Sequence, residues 1–192
     1  GDFFGDVENA LSASYSVNTE NVDESVLATS VFHAIDCTLQ IPHEKIICST
    51  VAGVGGGLQW SVGFSNQIST QSDKITSYKS PVITAISSSA FPKLRGFNTS
   101  GGDSITLSGS NFGPQYPTNI VSAHYINANI LGLGGSLFSA SSCTVKIADS
   151  SIICTMSEGV GFEQTWSVKV GLQSSPPLVT QTTSYATPSI KG

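Results

Sequence analysis

The chain has 192 residues, a formal net charge of −5 and only 11% charged side chains, less than half of the roughly 25% usual in soluble domains. Its eight basic residues are scattered over the whole length, which excludes the cationic face that a nucleic-acid groove needs, and no run of about 18 apolar residues is present to span a bilayer. Serine and threonine take the place of charge, which suits extracellular β-structure, and the length fits two sandwiches of roughly 90–110 residues each.

The chain opens with Gly1-Asp2-Phe3-Phe4-Gly5, where Phe4 is read as a core anchor. Asp2, Asp6, Glu8, Glu20, Asp23 and Glu24 concentrate acid in the first segment; their spacing fits no EF-hand loop, so they read as a solvated acidic loop. Helical character is confined to Val7–Ala13 and to Ala128–Leu137, and glycines argue against the second. A cysteine pair, Cys37 and Cys48, then precedes Gly53-Val54-Gly55 and Trp60-Ser-Val-Gly-Phe64. A short link, Tyr78 to Pro81, leads to two strand-like runs, Val82–Ile86 and Ser104–Leu107. Between these runs lie the glycosylation sequon Asn98-Thr99-Ser100 and a Gly101-Gly102 turn. Asn111-Phe112-Gly113 supplies a further turn, with Phe112 as its apolar anchor, before a second pair, Cys143 and Cys154, and a second tryptophan, Trp166.

These features are an internal repeat. Cys37-Thr-Leu-Gln-Ile41 and Ile46-Ile47-Cys48 recur as Cys143-Thr-Val-Lys-Ile147 and Ile152-Ile153-Cys154 at an offset of 106 residues. Gly53-Val54-Gly55 and Trp60 recur at the same offset as Gly159-Val160-Gly161 and Trp166. Gly1–Gly5 matches Gly109–Gly113, and Tyr78–Ile83 matches Tyr185–Ile190, with small indels. The second repeat therefore has 28 residues, Pro81 to Ser108, ahead of the point at which the first begins. Alternating runs such as Ile105-Thr-Leu107 and Trp166-Ser-Val-Lys-Val170 read as strands, closely punctuated by turn residues.

Ten residues separate each cysteine pair, centred on Pro42-His43 and on Ala148-Asp149. Both centres are turn chemistry, so two strands folded about them would bring each pair into disulfide reach. The alternatives are four buried thiols or a metal set, and ten-residue spacing is wrong for the latter. Disulfides would place the protein in an oxidising, extracellular compartment. Trp60 and Trp166 are each read as the large ring of a core.

The order Pro81-Val-Ile-Thr-Ala-Ile86, Gly101-Gly102-Asp-Ser-Ile-Thr-Leu-Ser-Gly109-Ser-Asn111-Phe112-Gly113, cysteine pair, Gly159-Val-Gly161 and a last strand ending at Tyr185 resembles an IPT/TIG domain, an immunoglobulin-like sandwich. The first repeat matches only from Gly-x-x-Phe-Gly onward. The resemblance implies an all-β fold of two tandem immunoglobulin-like β-sandwiches, the first lacking its N-terminal strands. Its expected domains are 1–80 (incomplete), 81–187 (complete) and 188–192, the start of a further repeat or a donor tail. The family shares no catalytic residues, so none carries over, and no cofactor or metal is expected.

Nothing else in the sequence points to catalysis. His33, His43 and His124 have no neighbouring nucleophile motif, and Gly53–Gly57 and Gly132–Gly135 lack a phosphate-binding Lys/Ser signature. The expectation is a non-catalytic extracellular structural or adhesive module. A sandwich missing two strands exposes core and unpaired edges, so either the chain is a fragment of something longer whose upstream residues supply them, or strands from other copies or flanking repeats complete the first, in an array or head-to-tail filament; the tail Leu178–Ile190, which carries strand chemistry, is the candidate donor. The alternatives are a carbohydrate-binding module, with Tyr116, Tyr125 and Phe138 as a glycan platform, and a receptor ectodomain fragment that binds a surface protein.

Overall fold

Short runs of alternating apolar and polar residues, broken by glycine, asparagine and proline, pair into sheets throughout the described residues. The computed structural model describes residues 11–17, 31–115, 121–127 and 137–190, and no helix occurs among them. The chain divides into two compact units, Gly1–Tyr78 and Lys79–Gly192.

The first unit contains β1 (Leu11–Val17), β2 (Phe32–His33), β3 (Ile35–Ile41), β4 (Lys45–Ser49), β5 (Leu58–Phe64), β6 (Gln67–Ile68) and β7 (Ile75–Thr76). One sheet has the order β2-β1-β5-β6, with β7 also on β5, and β3 and β4 form a separate two-stranded ribbon. Leu11–Ala13, read above as the end of a helical segment, is strand because it opens β1, which runs antiparallel along the whole of β5 with Tyr15 opposite Trp60. The remainder of that segment, and Phe4, lie outside the described residues.

The second unit contains β8 (Val82–Ser87), β9 (Arg95–Phe97), β10 (Ser104–Ser110), β11 (Val121–Asn127), β12 (Leu137–Ser139), β13 (Ser142–Ile147), β14 (Ser151–Thr155), β15 (Gln164–Val170), β16 (Gln173–Ser174) and β17 (Leu178–Tyr185). Its two sheets have the orders β13-β14-β10-β8 and β12-β11-β15-β17-β9. Every pairing in the unit is antiparallel except β17 with β9. With β8, β10, β11, β13, β14, β15 and β17 counted along the chain as first to seventh, one sheet reads first, second, fifth, fourth across its width and the other contains the third, sixth and seventh side by side, the strand order of a seven-stranded immunoglobulin-like sandwich. The inward residues of both sheets are fully buried: Ile105 and Leu107 from β10, Ile152 from β14, Tyr125 from β11, and Trp166 and Val168 from β15.

Local geometry follows the turn residues. His43 and Asp149 sit at the tips of the β3–β4 and β13–β14 hairpins with φ of 62° and 63°. Asn111 and Gly113 take φ of 62° and 76°, which lets Phe112 turn inward between them and become fully buried. Their backbone also ties to the hairpin tip, because the Asp149 N–H donates to the Gly113 carbonyl at 2.7 Å. Leu178–Tyr185 is an inner strand of its own unit, paired with β15 and β9. The tail that the sequence offered as a possible donor is therefore reduced, among described residues, to Ala186–Ile190, all exposed.

Gly109 lies at a register shift where β10 meets β8. A Cβ there would run into the Val82 carbonyl and the Phe112 ring. Gly109→Ala should separate the two strands and destabilise the second unit by about 1–3 kcal/mol, the usual cost of overpacking. The check is a lowered urea midpoint for the unfolding transition reported by Trp166, with the transition of the first unit unchanged.

Candidate functional site

Each unit is built around the same group of rings. In the first, Tyr15 stacks on Trp60 at 4.3 Å and on Phe32 at 5.2 Å, and Phe32 meets Tyr78 edge-on at 5.6 Å. In the second, Tyr125 stacks on Trp166 at 4.2 Å and on Phe138 at 5.3 Å, and Phe138 meets Tyr185 edge-on at 6.0 Å. Register explains the grouping, since Tyr15 lies opposite both Trp60 and Phe32, and Tyr125 opposite both Trp166 and Phe138.

Hydroxyls fasten the rings to the same loop in both units. The Val51 N–H donates to the Tyr15 hydroxyl at 3.1 Å, and the Tyr78 hydroxyl donates to the Val51 carbonyl at 2.6 Å. Ser157 holds Tyr125 and Tyr185 in the same way, at 3.1 and 2.7 Å. Each tyrosine pair is also bonded hydroxyl to hydroxyl at 2.7 Å. The indoles donate to Thr76 at 2.9 Å and Thr183 at 2.8 Å. Gly53 and Gly159 sit where a Cβ would strike Phe32 and Tyr78, or Phe138 and Tyr185. Glycine at that place is a requirement of ring packing. Burial, followed by the bond to Tyr15, pushes the Tyr78 phenol well above its ordinary value. Burial and the bond to Tyr125 do the same for Tyr185.

Sequence reasoning read Trp60 and Trp166 as core rings, used Tyr78 and Tyr185 only as markers of the repeat, assigned Tyr125 and Phe138 to a glycan platform, and missed Tyr15 and Phe32 altogether. The signal was present. Phe32 and Phe138 keep the offset of 106, and Ser12-Ala13-Ser14-Tyr15 matches Ser122-Ala123-His124-Tyr125 at 110.

What separates the units is the layer over these rings. In the second unit, Ile83 and Ile86 of β8 and Ile105 and Leu107 of β10 are buried within the sandwich. Among the described residues of the first unit, no strand corresponds to β8, β9 or β10. Equivalent positions record the loss. Trp166, Val168, Ile152 and Cys154 are buried, whereas Trp60, Val62, Ile46 and Cys48 are only half-buried. Trp60 is thus a less complete core anchor than the sequence implied, because the layer that covers its counterpart is not matched among the described residues of the first unit. Four buried aliphatic side chains, at roughly 1.5–3 kcal/mol each, rival the whole net stability of a domain, about 5–15 kcal/mol.

Among the described residues, the open edge is β4. In the second unit, β14 pairs with β13 on one side and β10 on the other. Among the described residues of the first, β4 pairs with β3 alone. Its apolar surface is accessible, with Ile47 46% exposed. The ribbon is stapled, since Cys37 is bonded to Cys48 across it, as Cys143 is to Cys154 in the second unit, with Cα–Cα distances of 4.0 and 4.1 Å. All four cysteines are used, and two disulfides fit an oxidising compartment.

The remaining sequence candidates fall elsewhere. Asn98 is exposed on a turn, its backbone N–H and side-chain amide both donating to the Asp103 carboxylate at 2.6 and 3.0 Å. Tyr125 is fully buried and Phe138 packs in the ring cluster, so neither offers a glycan platform; Tyr116 lies outside the described residues. His124 is bonded to Ser139 at 3.0 Å. No group of three His, Cys, Asp or Glu among the described residues could hold a metal ion, and none of them forms a helix able to cross a membrane. Compared with known proteins, the chain matches no family model and no curated protein.

Two measurements check this account. Acrylamide should quench Trp60 while sparing Trp166, so Trp60→Phe should leave a single blue-shifted, protected emission; equal quenching of both would contradict the difference in cover. Both phenols have folded pKa values raised above the ordinary 10.0, so the stability they contribute is complete below pH 10 and is lost as pH rises beyond it. The urea midpoints of both units should fall in that alkaline window. Tyr78→Phe should flatten the fall for the first unit only.

Proposed function

We propose that this chain is a non-catalytic extracellular structural or adhesive module of IPT/TIG-like repeats, a unit of a surface array or head-to-tail filament. Backbone from a neighbouring copy or flanking repeat completes its first unit. One observation carries the reading: β4 has an unpaired outer edge among the described residues, where its counterpart β14 is covered by β10. An unpaired edge beside half-open apolar rings invites strand addition. Strand addition by a heterologous contact propagates without closing, which suits a filament. The low charge, the serine- and threonine-rich surface and the two disulfides support life outside the cell. The exposed Asn98 sequon supports N-glycosylation there.

Sedimentation velocity and negative-stain microscopy of the full chain test the proposal. The expected result is concentration-dependent association into elongated species that share one repeat distance. A folded species that stays monomeric at every concentration would overturn it.

A further inference from the structure

We infer that the outer edge of β4 is a docking site for one extended segment of the protein's own repeat type. That segment bears two apolar residues at alternate positions and lies in the register that β10 takes against β14. The inference rests on the strand-completion reading and adds the occupant and its alignment.

The molecule contains its own template. In the second unit Ile105 lies opposite Cys154, Thr106 opposite Ile153 and Leu107 opposite Ile152. Ile105 and Leu107 point inward and are buried, whereas Thr106 and Ile153 are half-exposed. At the offset of 106, the β14 residues correspond to Cys48, Ile47 and Ile46 of β4. β4 has the matching alternation, with Ile46 and Cys48 half-buried and Lys45, Ile47 and Ser49 exposed. An incoming strand should therefore place apolar side chains opposite Cys48 and Ile46, over the half-covered Trp60, and one tolerant side chain opposite Ile47. A slip of one residue would turn both apolar side chains to solvent.

The same template argues against one nearby occupant. Pro188-Ser189-Ile190, with Ile190 wholly exposed, repeats Pro81-Val82-Ile83 at the start of β8. β8 pairs with β10 and not with β14, so a segment of that type belongs one strand further out. The position next to β4 requires a β10-type sequence.

The test uses the full chain at a concentration below its association threshold and a synthetic peptide with the sequence of residues 102–110. Hydrogen–deuterium exchange is read over Lys45–Ser49, and the acrylamide-accessible fraction of tryptophan emission is read alongside it, so that no variant of the chain is needed. The expected result is exchange about tenfold slower along β4, as its free edge becomes hydrogen-bonded, with a smaller accessible fraction. A peptide carrying Thr106→Asp should act the same way; one carrying Ile105→Asp and Leu107→Asp should not. If the native peptide leaves β4 unprotected, the docking site is overturned. If Thr106→Asp abolishes protection while the double variant retains it, the register is overturned. Peptide binding to a chain that never self-associates would leave the site standing and overturn the filament, whereas association that the peptide neither joins nor inhibits would do the reverse.

Discussion

The constraint beneath both units is that a sheet with one apolar face must be covered by a second layer. The stacked tyrosine and tryptophan at each centre concentrate that need in one place. Tyr15 on Trp60 and Tyr125 on Trp166 have nearly the same spacing, the same hydroxyl anchors and the same glycine beneath the neighbouring ring. The rings therefore do not depend on the layer above them for their mutual arrangement; the register of β1 on β5 and of β11 on β15 fixes it. What the upper layer decides is exclusion of water. That is why the two units share a plan and differ in burial.

Much of this was legible in the sequence because the cysteines, glycines and tryptophans are rigid markers at a constant spacing. Cys37, Cys48, Gly53 and Trp60 recur at 106 with no gap, and each occupies a place where little else fits. Strand alternation gave the extents of β8 and β10 to within a few residues at their ends. The tyrosines opposite the tryptophans were harder to find, because an indel moves Tyr15 and Tyr125 to an offset of 110. Pairing across a sheet is in any case a long-range relation that local pattern does not encode. The partial exposure of Trp60 could not be read from its own neighbourhood, since that is nearly the neighbourhood of Trp166. Exposure depends on strands far away in the chain. Leu178–Tyr185 misled for the opposite reason: its strand chemistry was plain, and only the sheet order shows that β15 and β9 already claim it.

The disulfide gains a specific meaning from this arrangement. A two-stranded ribbon is marginally stable in water on its own, and in the first unit β3 and β4 form one. In the second unit the equivalent ribbon is extended by β10 and β8, and its cysteine bond reinforces a sheet already supported on both sides of β14. In the first, the Cys37–Cys48 bond closes a loop whose constraint is worth roughly 2–3 kcal/mol in the chain-entropy model, and it acts where pairing on the far side of β4 is lacking among the described residues. An edge that kept its strand shape only after docking would have to order itself during association, and that ordering would weaken binding. A stapled edge is shaped in advance. Under the strand-completion reading, the first disulfide thus does more for association than for the fold of its own unit, while its counterpart does the reverse, although the two bonds occupy the same place in the repeat.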